Sequence, residues 1–283
     1  MGLIKPKLKD QALLNDIREA AGDKSGFHLW WLGQSGFLVQ WQGKHLLLDP
    51  YLSDSLTKKY ARTEKPHTRM TELVVDPAKL DFIDIVTSSH NHTDHLDGET
   101  LIPLIKANPN IRFIIPEANR DFVANRVQTA PEFPTGLNDR EKITIAGFTI
   151  TGVPAAHEAL DRDDAGHCLY MGYVVQFGSY SIYHSGDTLY HDDIVEQLKV
   201  FGTFDLALLP INGRDPKRKV AGNLNAQQAV QVSKEINARM TVPCHYDMFT
   251  FNTADPKDFE KIAQSEEVRY KIMECGERIS INH

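Results

Sequence analysis

The spacing of apolar positions along the chain changes near residue 25. Leu13, Leu14 and Ile17 recur at helical spacing, which predicts a short amphipathic helix over residues 8–21. Beyond it three apolar runs follow one another: His28–Leu32, Phe37–Trp41 and His45–Leu48. The segments Gly33-Gln34-Ser35-Gly36 and Gln42-Gly43-Lys44 separate them, so they read as a strand meander that Asp49-Pro50 ends. Residues 51–79 show no period and carry Lys58, Lys59, Arg62, Lys65 and Arg69 beside Tyr51 and Tyr60. Two readings stand for so long a connection: a solvated surface loop, or a lid that brings cations to an anionic substrate.

From residue 80 onward strands and helices alternate. The pattern predicts strands at 82–88, 111–115, 205–209 and 240–243, and helices near 98–107, 117–127, 189–199, 225–238 and 256–266. Hairpins are expected over 142–145 and 148–153 around Gly147, and over 170–177 and 180–184 around Gly178-Ser179. A short strand near 277–281 closes the chain. A meander first and βα units later predicts a layered α/β protein with both sheet types. The length of 283 residues fits one domain spanning 1–283. The order of elements in the two halves is loosely similar, without a direct sequence repeat.

Composition narrows the class. Hydrophobic residues make up 41% and charged residues 24%, as in a soluble globular enzyme. A net charge of −7 argues against a broad nucleic-acid surface, so nucleic acid is not an expected partner. Cys168, Cys244 and Cys275 form no CxxC pair. Their odd number and the lack of a signal peptide lead us to expect reduced thiols and a cytoplasmic location. No apolar run reaches the length of a membrane span.

The candidate chemistry begins at His90-Asn91-His92-Thr93-Asp94-His95, directly after the apolar run Phe82–Val86. Four potential metal ligands fall within six residues, and imidazole with carboxylate suits zinc, manganese, iron or nickel. On an extended segment His90 and His92 point to one side, while Asp94 and His95 turn toward a second point, which suits two adjacent ions. Three further candidates each sit just past a predicted strand: His157 after Ile150–Pro154, Asp187 after Ser181–Gly186, and His245 after Met240–Cys244. Strand ends that gather at one sheet edge would bring these ligands together on rigid elements. Asp187 is also a candidate helix N-cap. His184 and His191 flank its loop, His184 as a packing or supporting residue.

The ordered series His90-x-His92-x-Asp94-His95, His157, Asp187 and His245 resembles the metallo-β-lactamase superfamily across nearly the whole chain. Trp30–Gly36, Tyr183–Asp187 and Asn237–His245 further resemble the L-ascorbate-6-phosphate lactonase group. The resemblance implies a four-layer αβ/βα sandwich with two mixed β-sheets and a metal site at one edge. It also implies two divalent ions, zinc or manganese, with His90, His92 and His157 on one, Asp94, His95 and His245 on the other, and Asp187 bridging. Such centres make hydroxide from bound water near neutral pH, which attacks a carbonyl carbon or phosphorus. Asp94 and Asp187 are then the candidate catalytic residues, with Asp94 also able to shuttle a proton if one ion is bound.

The expected activity is that of a metal-dependent lactonase acting on a lactone of a sugar acid, phosphorylated or not. The alternatives are a phosphodiesterase acting on a nucleotide or phospholipid, and a metal-binding sensor without turnover. The substrate is expected to be small and anionic. Arg69, Asn212, Arg214 and Tyr246 are the candidate substrate contacts, with Lys217, Arg218 and Lys219 nearby and Tyr246 or Asp247 as proton donor. The lactonase resemblance also implies a homo-oligomer.

Overall fold

The computed structural model describes residues 2–282. Thirteen strands form two mixed sheets. The first half supplies β1 (Phe27–Gly33), β2 (Gly36–Trp41), β3 (Lys44–Leu48), β4 (Ile85–Thr87), β5 (Arg112–Pro116) and β6 (Thr135–Leu137). The second half supplies β7 (Lys142–Ile145), β8 (Phe148–Pro154), β9 (Met171–Phe177), β10 (Tyr180–His184), β11 (Leu206–Pro210), β12 (Thr241–Cys244) and β13 (Arg278–Ile281). The last of these crosses back to pair with β1, so the sheet orders are β13-β1-β2-β3-β4-β5-β6 and β12-β11-β10-β9-β8-β7. Each sheet has an antiparallel run followed by parallel pairs, from β3 to β6 in one and from β10 to β12 in the other.

Burial explains the layering. Every residue of β1, β10 and β11 is buried, on both faces. A strand with two dry faces needs cover on each side, here the other sheet and the helices. Helix α1 (Asp10–Ala20) turns Leu13, Leu14, Ile17 and Ala20 inward, and its Asp16 accepts the indole N–H of Trp30 at 2.8 Å. The other helices are α2 (Ser55–Tyr60), α3 (Gly98–Ala107), α4 (Arg120–Val127), α5 (Ile194–Lys199), α6 (Ala226–Glu235) and α7 (Pro256–Ser265). Helix α6 starts with a capping box: Asn225 accepts from the Gln228 N–H and Gln228 accepts in turn from the Asn225 N–H. Between the sheets one cluster of apolar side chains is continuous. Phe27 meets Phe177 and Tyr180 across it at ring distances of 5.2 and 5.0 Å, and Trp41 meets Phe177 at 5.5 Å. Fully burying a side chain of this size contributes about 1.5–3 kcal/mol.

Most predicted elements are present, with shifts at their ends. The strand expected over 82–88 has only three residues in ladder pairing, and the helix expected near 189–199 begins at Ile194. The backbone before that helix is drawn into the neighbouring loop, with the Leu189 N–H donating to Ala156 and the Leu224 N–H to Thr188. No helix therefore starts at Asp187, and its N-cap reading is overturned. Strand β6 lay outside the sequence pattern, because three residues containing Gly136 carry no periodicity. No helix among the described residues is long and apolar enough to cross a membrane.

Candidate metal centre

The expected ligands lie on the loops after β4, β8, β10 and β12. After β4 the chain does not stay extended. The N–H groups of His95 and Leu96 both donate back to the His92 carbonyl, so a tight turn replaces the extended segment expected from the sequence. The turn still sets the His90 and His92 rings 4.7 Å apart. The His157 and Asp187 loops are tied to each other. The Ala156 N–H donates to Thr188 Oγ1 at 3.0 Å, and the Gly222 carbonyl takes the Nδ1 proton of His157 at 2.8 Å. That bond fixes the His157 tautomer and leaves Nε2, 3.0 Å from His92 Nδ1, unprotonated and able to act as a ligand. His245 follows β12 in a left-handed conformation, φ +69°, and its N–H donates to the carbonyl of Gln34, itself at φ +51°. Two non-glycine residues in this region are held there by the surrounding bonds.

The side chains fall into two groups. His90, His92 and His157 form one, and Asp94, His95, Asp187 and His245 the other, with potential ligand atoms in each within 4.8 Å of one another. Asp187 reaches into both: its oxygens lie 3.2 Å from Nε2 of His95, 3.2 Å from Nε2 of His245 and 3.7 Å from Nε2 of His157. His90 Nε2, His95 Nε2 and Asp187 Oδ1 are buried without a hydrogen-bond partner. Buried ligand atoms left without partners are costly unless something coordinates them, so the donor set fits divalent cations that accept nitrogen and oxygen.

Electrostatics favour ligation. Burial, helped by neighbouring imidazoles, pushes His90 well below its ordinary pKa and His92 down to about 4. Burial also lowers His157. Neutral imidazoles are the form that ligates. For Asp187 burial opposes ionisation, yet His245 and His95 together hold its carboxyl well below the usual range. His95 is the exception: burial lowers it, but Asp187 and Asp94 outweigh that and raise it. On its other side Asp49 receives the His95 Nδ1 at 2.8 Å. The Gln34 amide donates to Asp94 Oδ2 at 2.8 Å and sits 3.1 Å from the His245 ring nitrogens.

His92, Asp94, His157 and Asp187 open onto a cavity of about 260 Å³ that Lys59, Lys65, His67, Arg126 and Asn252 also line. Part of the 51–79 segment thus borders the site, as the lid reading expects, but the individual substrate contacts expected from sequence lie elsewhere. Arg69 is buried against Asp54, the Ser53 carbonyl and Met248. Tyr246 is buried as well, its hydroxyl donating to the Met273 carbonyl and accepting the Met273 N–H. Arg214 pairs with Glu158. Asn212 donates to Asn252 and accepts from Asn223. None of the four lines the cavity. The sequence pattern assigned no role to Gln34, Asp49, Arg126 or Asn252, whereas Lys59 and Lys65 lie in the basic stretch marked as a possible lid. Asp49 carried the only local signal, an acid at a strand end beside Pro50.

Comparisons with known proteins identify the family. The family model described as a β-lactamase superfamily domain matches residues 28–245. A UPF0173 metal-dependent hydrolase of Methanosarcina mazei is 29% identical over 260 residues, 89% of this chain and 97% of that protein. An N-acyl-phosphatidylethanolamine-hydrolyzing phospholipase D 1 of Caenorhabditis elegans is 27% identical over 82% of this chain and 67% of its own. Among solved structures, an isothiocyanate hydrolase from Delia radicum gut bacteria superposes with a TM-score of 0.71 at 20% identity, over 90% of this chain and 100% of that one. Its likeness is one of fold. The chain therefore belongs to the metallo-β-lactamase family of metal-dependent hydrolases.

Proposed function

We propose that the chain hydrolyses a small anionic ester at a two-ion centre, with a lactone of a sugar acid as the first candidate bond. The carrying observation is the pair of ligand groups that meet at Asp187 and face a largely polar cavity. Divalent ions held there would supply a water of lowered pKa and electrophilic stabilisation of developing charge. In the proposed division, His90, His92 and His157 would hold one ion and Asp94, His95 and His245 the other, with Asp187 available to both groups. The chain's own contribution is orientation. The Gly222 carbonyl fixes the His157 ring, Asp49 fixes His95, and the Gln34 amide steadies Asp94. Burial of His90, His95, His157, Asp187 and His245 strengthens the charge interactions among them, while His92 and Asp94 face the cavity.

The likeness to the worm phospholipase D favours a second reading, a phosphodiester. A cavity of about 260 Å³ with mainly polar lining suits a small phosphodiester better than one carrying acyl chains. One panel separates the readings: lactones, phosphorylated sugar lactones, bis-phosphodiesters and thioesters, each with zinc and with manganese. Turnover of lactones alone supports the first reading, and turnover of phosphodiesters alone replaces it with the second. Binding of metal with no turnover of any ester would favour a sensor instead.

A further inference from the structure

We infer that the cavity beside the metal ligands holds a separate phosphate subsite, built by Lys59, Lys65, Arg126 and Asn252, for a phosphate group of the substrate that does not react. The inference rests on the hydrolase reading only in assigning that phosphate to a substrate.

The argument starts from charge. The chain is acidic overall, with a net charge of −7, and nearby cations have acidic partners: Lys58 with Glu99, Arg120 with Glu117, Arg214 with Glu158. Among the described residues Lys59, Lys65 and Arg126 have no carboxylate within ion-pair distance, although all three line one cavity. Their hydrogen bonds go to neutral acceptors. Lys59 Nζ donates to Thr93 Oγ1 at 3.3 Å, Lys65 Nζ to the Lys219 carbonyl, and Arg126 Nη1 to the carbonyls of Asn91 and Leu96 at 3.1 and 3.2 Å. These bonds hold the cations in place without neutralising them. Asp94 and Asp187 line the same cavity but would be engaged by bound cations, so an entering anion meets positive charge that no ion pair neutralises.

Asn252 adds a neutral donor. Its Oδ1 accepts from Arg218 Nη1 and from Asn212 Nδ2, both at 3.1 Å. Arginine has no acceptor, so this network fixes which end of the amide is oxygen. The NH₂ end remains available on a residue that lines the cavity. Arg218 and Asn212, expected from sequence to grip the substrate, act instead by orienting Asn252. Two point-charge ammonium groups, one guanidinium and one amide donor match the acceptor oxygens of a phosphate dianion.

The test titrates inorganic phosphate into the full-length, metal-loaded protein by calorimetry. The variants are Lys59→Gln combined with Lys65→Gln, and Asn252→Asp alone. Lys58→Gln combined with Lys79→Gln serves as control, because it removes the same two charges from residues outside the cavity. Phosphate affinity is expected to fall tenfold or more in the first two variants and to change less than twofold in the control. Equal affinity in the cavity double variant and the wild type, or a loss no larger than that of the control, overturns the subsite. Turnover is measured separately, as the selectivity in kcat/KM for a phosphate-bearing ester over its uncharged counterpart. That selectivity should drop tenfold in the cavity double variant. If no ester turns over while phosphate binding depends on Lys59 and Lys65, the hydrolase reading fails and the subsite stands. If esters turn over with phosphate binding indifferent to these lysines, the reverse holds.

Discussion

Asp49 places a carboxylate oxygen 2.8 Å from Nδ1 of His95, with both side chains fully buried. The other Asp49 oxygen accepts from Thr87 Oγ1 and from the Ser89 N–H. The carboxylate is therefore surrounded by donors, and it directs Nε2 of His95 toward Asp187. Asp49→Asn puts an NH₂ group among those donors and unfixes the His95 ring. Metal affinity is expected to fall about 10–100-fold while the fold is kept. Competition with a chromophoric chelator measures this, and unchanged affinity would remove Asp49 from the supporting role.

Asp187 reaches both ligand groups. Asp187→Ala should leave at most one tightly held ion per chain and lower turnover by at least about a thousandfold. His92→Ala should weaken the other ion selectively. Elemental analysis after gel filtration, paired with circular dichroism, separates lost metal from lost fold. Full metal content and full activity in both variants would sink the ligand assignment.

Gly186 sets the direction of Asp187. It sits at φ +58°, and a Cβ there would come within 2.6 Å of Ser89 Cβ and 2.9 Å of the Met171 carbonyl. Gly186→Ala thus combines a disfavoured backbone with a clash against the loop that carries His90. The expected destabilisation is about 2–5 kcal/mol, together with weakened metal binding. Denaturant unfolding with and without added zinc checks both effects.

Acid sensitivity has a contribution remote from the metal centre. His45 is buried in β3, its Nε2 accepting from Gln40 at 2.8 Å, and burial lowers its pKa from 6.5 to about 4. The unfolded chain binds this proton more readily than the folded one. The stabilisation is full above pH 6.5 and is lost as pH falls toward about 4, amounting to roughly 2–3 kcal/mol. His45→Gln can still accept from Gln40 and does not titrate. Its stability should fall less than that of the wild type between pH 6.5 and 4, and parallel stability curves would count against this account.

Chelation offers a further check on the centre. Ions that bind only the folded state stabilise it by about 2.7 kcal/mol at one hundred times their dissociation constant. Removing them should lower Tm in the wild type and much less in Asp187→Ala. An equal drop in both would mean that the chelator acts elsewhere.

The parts of the fold legible in the sequence were those written in local period and punctuation. The meander from Phe27 to Leu48 and the hairpin turning at Gly147 each declare themselves within a few residues. The candidate ligands stood out for a related reason, since they follow on apolar strands, and the fold brings them into two groups. The cavity wall was not. Lys59, Arg126 and Asn252 come from α2, α4 and the loop after β12, and no local pattern says that they will meet. Tyr246 and Arg69 misled because adjacency to a ligand or to a basic run does not reveal which way a side chain turns. Tyr246 turns inward to hold Met273, and Arg69 turns toward Asp54.

The two sheets contribute unequally to the ligand set. One turn after β4 carries His90, His92, Asp94 and His95, whereas His157, Asp187 and His245 come from three loops of the opposite sheet. Any ion held jointly by these residues works as a rivet through the sandwich, and its affinity becomes a gauge of how the sheets are seated. A repacking as distant as the contact of Trp41 with Phe177, at the far ends of β2 and β9, would then register as altered metal occupancy with every ligand still in the chain.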